Sequence, residues 1–108
     1  MGKSKVDKSK YVVITGGSKG LGYELAKLFA REKYNLILVA RDKDDLARAS
    51  KELVERYGIT CHTFSCDLSV MTGIDSFYQE LKRLGLEVSI LVNNAGFGYW
   101  GGFDSMDP

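Results

Sequence analysis

The chain has 108 residues and a net charge of +1, which suits one domain with a core of useful size. A balance so near neutral excludes the strong field of a nucleic-acid or membrane-surface binder. No apolar run approaches the roughly 20 residues needed to span a bilayer.

Lys3, Lys5, Lys8 and Lys10, broken by Asp7, make residues 1–10 a flexible basic N-terminus rather than a binding arm. This stretch lacks the apolar run of a signal peptide. Val6 stands where a myristoylation motif requires Ser or Thr. Two cysteines, Cys61 and Cys66, build no disulfide framework. A cytoplasmic protein with no membrane span and no nucleic-acid partner is the expectation.

Tyr11-Val12-Val13-Ile14 reads as a first strand and runs directly into Thr15-Gly16-Gly17-Ser18-Lys19-Gly20-Leu21-Gly22. Leu21, Leu25, Leu28 and Phe29 then fall on one predicted helical face. Leu36 to Ala40 is a second strand. Leu46, Ala49, Leu53 and Tyr57 mark a second helix that Gly58 closes. Ile59 to Ser65 is a more polar third strand. On it Cys61 is expected to face away from Cys66, which argues against a shared metal, and His62 reads as a half-buried strand residue. Ile74, Phe77, Tyr78 and Leu81 stripe a third helix ending at Gly85, and Val88 to Val92 is a fourth strand.

Strands this apolar are covered on both faces, and parallel strands need helical crossovers of this length. The order therefore predicts an α/β fold, a parallel sheet with helices on both sides.

The glycine-rich stretch between the first strand and helix is suited to a phosphate. Backbone amides and the positive end of a helix dipole meet there, and glycine leaves room for the ligand. A P-loop does not fit, because Tyr23 stands where its Lys must be. The G-x-G-x-x-G pattern does not fit either; the letters are T-G-x-x-x-G-x-G.

Three motifs in order resemble the short-chain dehydrogenases/reductases from Tyr11 onward. Thr15 to Gly22 resembles their glycine-rich cofactor loop. Asp67-Leu68 resembles the acidic pair that contacts the adenine ring. Asn93-Asn94-Ala95-Gly96 resembles the NNAG motif that steadies the sheet and lines the cofactor site. The resemblance implies a Rossmann-type domain over residues 11–108 and cofactor contacts from Thr15, Gly16, Ser18, Lys19, Gly20, Leu21, Gly22, Arg41, Asp67, Leu68, Asn94, Ala95 and Gly96.

At the end of the second strand, an acid would accept from the NAD ribose, whereas Arg suits the 2′-phosphate of NADP. Ala40 occupies the acid's position and Arg41 follows. By similarity Lys19 and Arg41 clamp the phosphate, so NADP is the expected cofactor. Asp42 would favour NAD if it reached the ribose instead.

The family's catalytic Ser and Tyr-x-x-x-Lys lie further along than its NNAG motif. The chain thus resembles the cofactor-binding half of such an enzyme, truncated after the fourth strand. Its own two matches, Tyr23 with Lys27 and Tyr78 with Lys82, sit in the wrong helices and are rejected as catalytic. The implied activity is an NADP-dependent oxidoreductase acting on a small carbonyl or alcohol in the full-length form. A non-catalytic NADP-binding module is the alternative. An uncovered fourth strand would also leave an apolar edge, so self-association is expected.

Overall fold

The computed structural model describes residues 10–94. Within them the chain runs β1 (Lys10–Thr15), α1 (Gly20–Arg31), β2 (Asn35–Ala40), α2 (Lys43–Tyr57), β3 (Cys61–Ser65), α3 (Met71–Leu84) and β4 (Glu87–Asn93). The strands form one parallel sheet in the order β3-β2-β1-β4. This is the Rossmann-like α/β fold expected from the alternation of apolar runs and helical stripes. Ala95 and Gly96 lie outside the described residues, as does the aromatic segment that follows them.

The two faces of the sheet carry two cores, as the pleat requires. Val12, Ile14, Leu36 and Leu38 pack with Ala26 and Ala30 of α1 and Leu46, Ala49 and Leu53 of α2. Their neighbours Val13, Ile37 and Val39 point the other way, onto Leu68 and onto Phe77 and Leu81 of α3. Phe64 meets Phe77 edge to face with centroids 5.2 Å apart. Cys61 joins the first core and Cys66 the second, so they lie on opposite faces. No His, Cys, Asp and Glu cluster able to hold a metal occurs among the described residues. His62 is partly exposed and stacks edge-on against Tyr11.

Of the expected stripes, α2 buries Leu46, Ala49 and Leu53 and α3 buries Phe77 and Leu81, with Tyr57, Ile74 and Tyr78 only partly buried. The helices end at Gly58 and Gly85, both in left-handed backbone (φ 70° and 68°). Helix α1 does not follow its expected stripe. Leu21 and Leu28 are exposed, at 67% and 48%, while Gly22, Ala26 and Ala30 are buried. Small residues at this spacing let the helix axis settle close to the sheet, and the larger Tyr23 and Phe29 pack partly buried beside them. Of the expected stripe Leu25 and Phe29 are half-buried, while Leu21 and Leu28 are turned outward, because close approach here counts for more than apolar area.

Strand β3 is also shorter than expected, starting at Cys61. Ile59 is buried just before it. The Thr60 N–H donates to Asn35 Oδ1 (2.9 Å), and the Thr60 carbonyl accepts from the Leu36 N–H (2.9 Å). Strand β4 pairs with β1 and lies at the sheet edge among the described residues, with Ile90 exposed.

Candidate functional site

The chain passes from β1 to β2 to β3 in one direction across the sheet, then returns to place β4 on the far side of β1. The reversal puts a crevice at the carboxyl end of β1, the usual ligand position in open α/β sheets. Thr15 ends that strand, almost fully buried, and its hydroxyl donates to Asn93 Oδ1 (3.1 Å) at the end of β4. Gly16 follows with φ 66°, and its N–H donates to the Val39 carbonyl (2.7 Å). The turn is thus tied to both neighbouring strands before α1 begins.

Gly22 fixes how closely α1 approaches. A Cβ there would lie 2.0 Å from the Gly16 carbonyl oxygen and 2.8 Å from Asn94 Nδ2. The same Asn94 amide donates to the Gly16 carbonyl (3.4 Å). The first two residues of NNAG therefore brace the glycine turn, Asn93 through Thr15 and Asn94 through Gly16.

Beside the turn is a hollow of about 540 Å³, within the range of small-molecule sites. Thr15, Gly16, Ser18 and Lys19 line one wall and Val39, Ala40 and Arg41 another. The beginning of α2 adds Asp42 and Asp45, and the loop after β3 adds Cys66, Asp67, Leu68 and Ser69. Gly20, Leu21, Gly22 and Asn94 are not part of this lining. Leu68 is buried in the second core with one side on the hollow. The Asp67 loop is held by a second tight contact: a Cβ on Gly73, in the first turn of α3, would lie 1.9 Å from the Asp67 carbonyl oxygen.

The charged groups around the hollow are paired. Asp42 is tied down at one oxygen: its Oδ1 accepts from the Asp44 and Asp45 N–H groups (2.9 and 3.0 Å) as the N-cap of α2. Lys19 Nζ lies 3.3 Å from Asp45 Oδ2, and Arg48 bonds the other oxygen of the same carboxylate. These cations, Arg48 foremost, hold the Asp45 carboxyl below its usual range. Arg41 Nη1 stands 4.0 Å from Asp67 Oδ2. The Ser69 hydroxyl and N–H, donating to Asp67 Oδ1 at 2.5 and 2.9 Å, are the main reason that carboxyl is also lowered. Burial raises the Cys66 thiol, and the Asp67 charge adds to it.

Sequence reasoning missed Asp45, Ser69, Cys66 and Gly73. Asp42 followed by acids in the first helical turn is a readable helix start, so the capping role of Asp42 was within reach. The two Tyr-x-x-x-Lys matches lie on α1 and α3. Tyr23 donates to Glu52 on α2, and its hydroxyl is raised by burial and by that carboxylate, opposite to what a proton donor at neutral pH needs. Neither Tyr23 nor Tyr78 lines the hollow.

The family model described as short chain dehydrogenase matches residues 10–108. The chain belongs to that family. The very-long-chain 3-oxoacyl-CoA reductase of Aspergillus clavatus is 38% identical over 91 residues, covering 82% of this chain and 26% of that protein. The rat protein of the same name is 32% identical over 92 residues, covering 83% of this chain and 28% of that protein. The chain thus spans about a quarter of the length of these curated relatives. Among solved structures, L-sorbose reductase from Gluconobacter frateurii, complexed with NADPH and L-sorbose, matches with a TM-score of 0.77 at 37% identity, over 83% of this chain and 34% of that one. An alcohol dehydrogenase from Thermococcus sibiricus, complexed with 5-hydroxy-NADP, matches with a TM-score of 0.74 at 37% identity, over 84% and 39%.

Gly22→Ala forces a shift of α1 or of the turn, since its new methyl meets backbone rather than a movable side chain. The expected loss is about 1–3 kcal/mol of stability, together with dinucleotide binding; chemical denaturation and NADPH titration measure the two. Asp67 also implies an acid limb. Its folded pKa lies below the unfolded value, so its contribution is complete above the ordinary carboxylate pKa of about 3.9 and is lost as pH falls through the lower folded value. Asp67→Asn should flatten the fall in thermal stability below about pH 4 and leave stability at pH 7 less than in the parent.

Proposed function

We propose that this chain forms the NADP-binding part of an oxidoreductase that interconverts a ketone carbonyl and an alcohol. The observation that carries the cofactor choice is the end of β2. Ala40 offers no acid to a ribose hydroxyl, and one oxygen of the Asp42 carboxylate, Oδ1, is engaged by the first amides of α2. Arg41, 79% exposed at its side chain, stands on the hollow with Lys19. Two cations beside a glycine turn and a helix N-terminus suit a dinucleotide that carries an extra phosphate.

In this reading Lys19 and Arg41 hold the 2′-phosphate. The turn from Thr15 to Gly22 receives the pyrophosphate at the start of α1, and Asp67 and Leu68 border the adenine. Asn94, with Ala95 and Gly96, belongs to the wall nearer the nicotinamide. NADP, when bound, supplies or accepts the hydride; the residues here bind and orient it. The named relatives act on a 3-oxoacyl-CoA and on a sugar ketone, which supports a ketone as the shared substrate class. In this reading no residue of this chain is assigned as the proton donor.

A cytoplasmic setting and self-association belong to the same proposal. Among the described residues no helix is long and apolar enough to cross a membrane. Among those residues β4 is the edge strand and presents Ile90, a template for a second copy. Sedimentation velocity should show mass rising with concentration; a single monomeric species throughout would refute it.

The cofactor reading is tested by titrating NADPH and NADH into the chain and its variants. Arg41→Ala should weaken NADPH about 10- to 100-fold, the loss of one charge-assisted hydrogen bond, with NADH little changed. Asp42→Ala should cost about 1 kcal/mol of stability as a lost cap and leave the preference intact. A wild-type chain that binds both dinucleotides equally sinks the proposal.

A further inference from the structure

Asp45 has no part in the cofactor contacts assigned above, yet it is the most enclosed carboxylate on the hollow for which an ion pair is seen, its side chain only 14% exposed. It sits between two cations. Lys19 reaches it from the glycine turn, and Arg48 reaches it from one helical turn further along α2. Asp42 and Asp67 are occupied differently, one by backbone amides and the other by Ser69. Asp45 alone of the three is set directly against a cation of the glycine turn.

Resting on the NADP reading, we propose that Asp45 is a specificity-determining residue that competes with the adenosine 2′-phosphate for Lys19. It thereby holds the affinity for NADP(H) below what the two cations would otherwise give. A phosphate that takes Lys19 must displace this carboxylate or share the ammonium with it. Two opposing effects follow from the pair. Asp45 orients Lys19, which favours binding, and it repels a phosphate, which opposes binding.

The magnitudes decide between them. Lys19 is 79% exposed, and orienting an exposed side chain through one surface ion pair is worth at most about fivefold in an equilibrium. Repulsion acts on a phosphate bearing close to two negative charges, from a carboxylate on the wall of the same hollow. Repulsion therefore outweighs orientation. Arg48 moderates it by neutralising Asp45 from the side away from Lys19, and Arg48 itself is not part of the hollow's lining.

Opposite signs are expected for two substitutions. Asp45→Asn should tighten NADPH about fivefold, change NADH less than about twofold, and steepen the loss of NADPH affinity with added salt. Arg48→Gln should weaken NADPH about two- to threefold, with NADH again little changed. Fluorescence titration of NADPH and NADH into the full chain at low and high salt reads all of these, with circular dichroism to confirm that α2 persists.

If wild type prefers NADPH but Asp45→Asn leaves its affinity unchanged or lowers it, the competition is overturned and the NADP reading stands. Equal tightening of NADH also overturns it, because the effect would not act through the extra phosphate. Should Asp45→Asn fail to fold, an Arg48→Gln variant with unaltered NADPH affinity overturns it alone. A wild-type chain blind to the 2′-phosphate removes the NADP reading and this inference together.

Discussion

The contact between Gly22 and the Gly16 carbonyl governs the geometry of the site. A helix dipole helps an anion only within about the first turn, so the start of α1 must lie against the turn that leaves β1. No side chain fits between them: the missing Cβ would stand 2.0 Å from the carbonyl oxygen. Asn94 then closes the same contact from the end of β4. The same closeness explains the rest of α1, whose buried stripe continues as Ala26 and Ala30. A larger residue at either position would lift the helix and open the gap at its N-terminus.

Once backbone and helix are in place, the charges around the hollow follow from competition among them. Two cations and three carboxylates line it, so its field is far weaker than the cations alone would give. Each acid is given other employment. Asp42 caps α2, Asp67 turns one oxygen to Ser69, and Asp45 is shared between Lys19 and Arg48. In the proposed reading capping bears on recognition, because it engages one of the two oxygens that the Asp directly after Arg41 could offer to a ribose hydroxyl.

Much of this was legible in the letters, and the limits have physical causes. The strands were readable because burial on both faces leaves near-continuous apolar runs such as Leu36 to Val39. Gly58 and Gly85 were readable as helix ends because a left-handed cap is a local requirement. The buried side of α1 was not, since apolar size favoured Leu21 and Leu28 while packing favoured glycine and alanine. Gly73 gave no local signal at all; its reason is the Asp67 carbonyl, brought against it only when α3 folds back under the loop. The Lys19–Asp45 pair was hidden for the same reason, since its partners belong to different βα units.

The three family motifs differ in how they reach the site. The glycine turn and the Asp67 loop border the hollow directly, whereas Asn93 and Asn94 act through Thr15 and Gly16. That difference separates two kinds of constraint. In the proposed reading, residues on the hollow can vary in charge and retune which dinucleotide is favoured, since their side chains would meet ligand and solvent. Asn94 and Gly22 answer to the backbone of the turn itself, and a change at either moves the amides on which every dinucleotide would depend. In the same proposed reading, cofactor choice therefore shifts through Lys19, Arg41 and Asp45 while the phosphate cradle is left as it is.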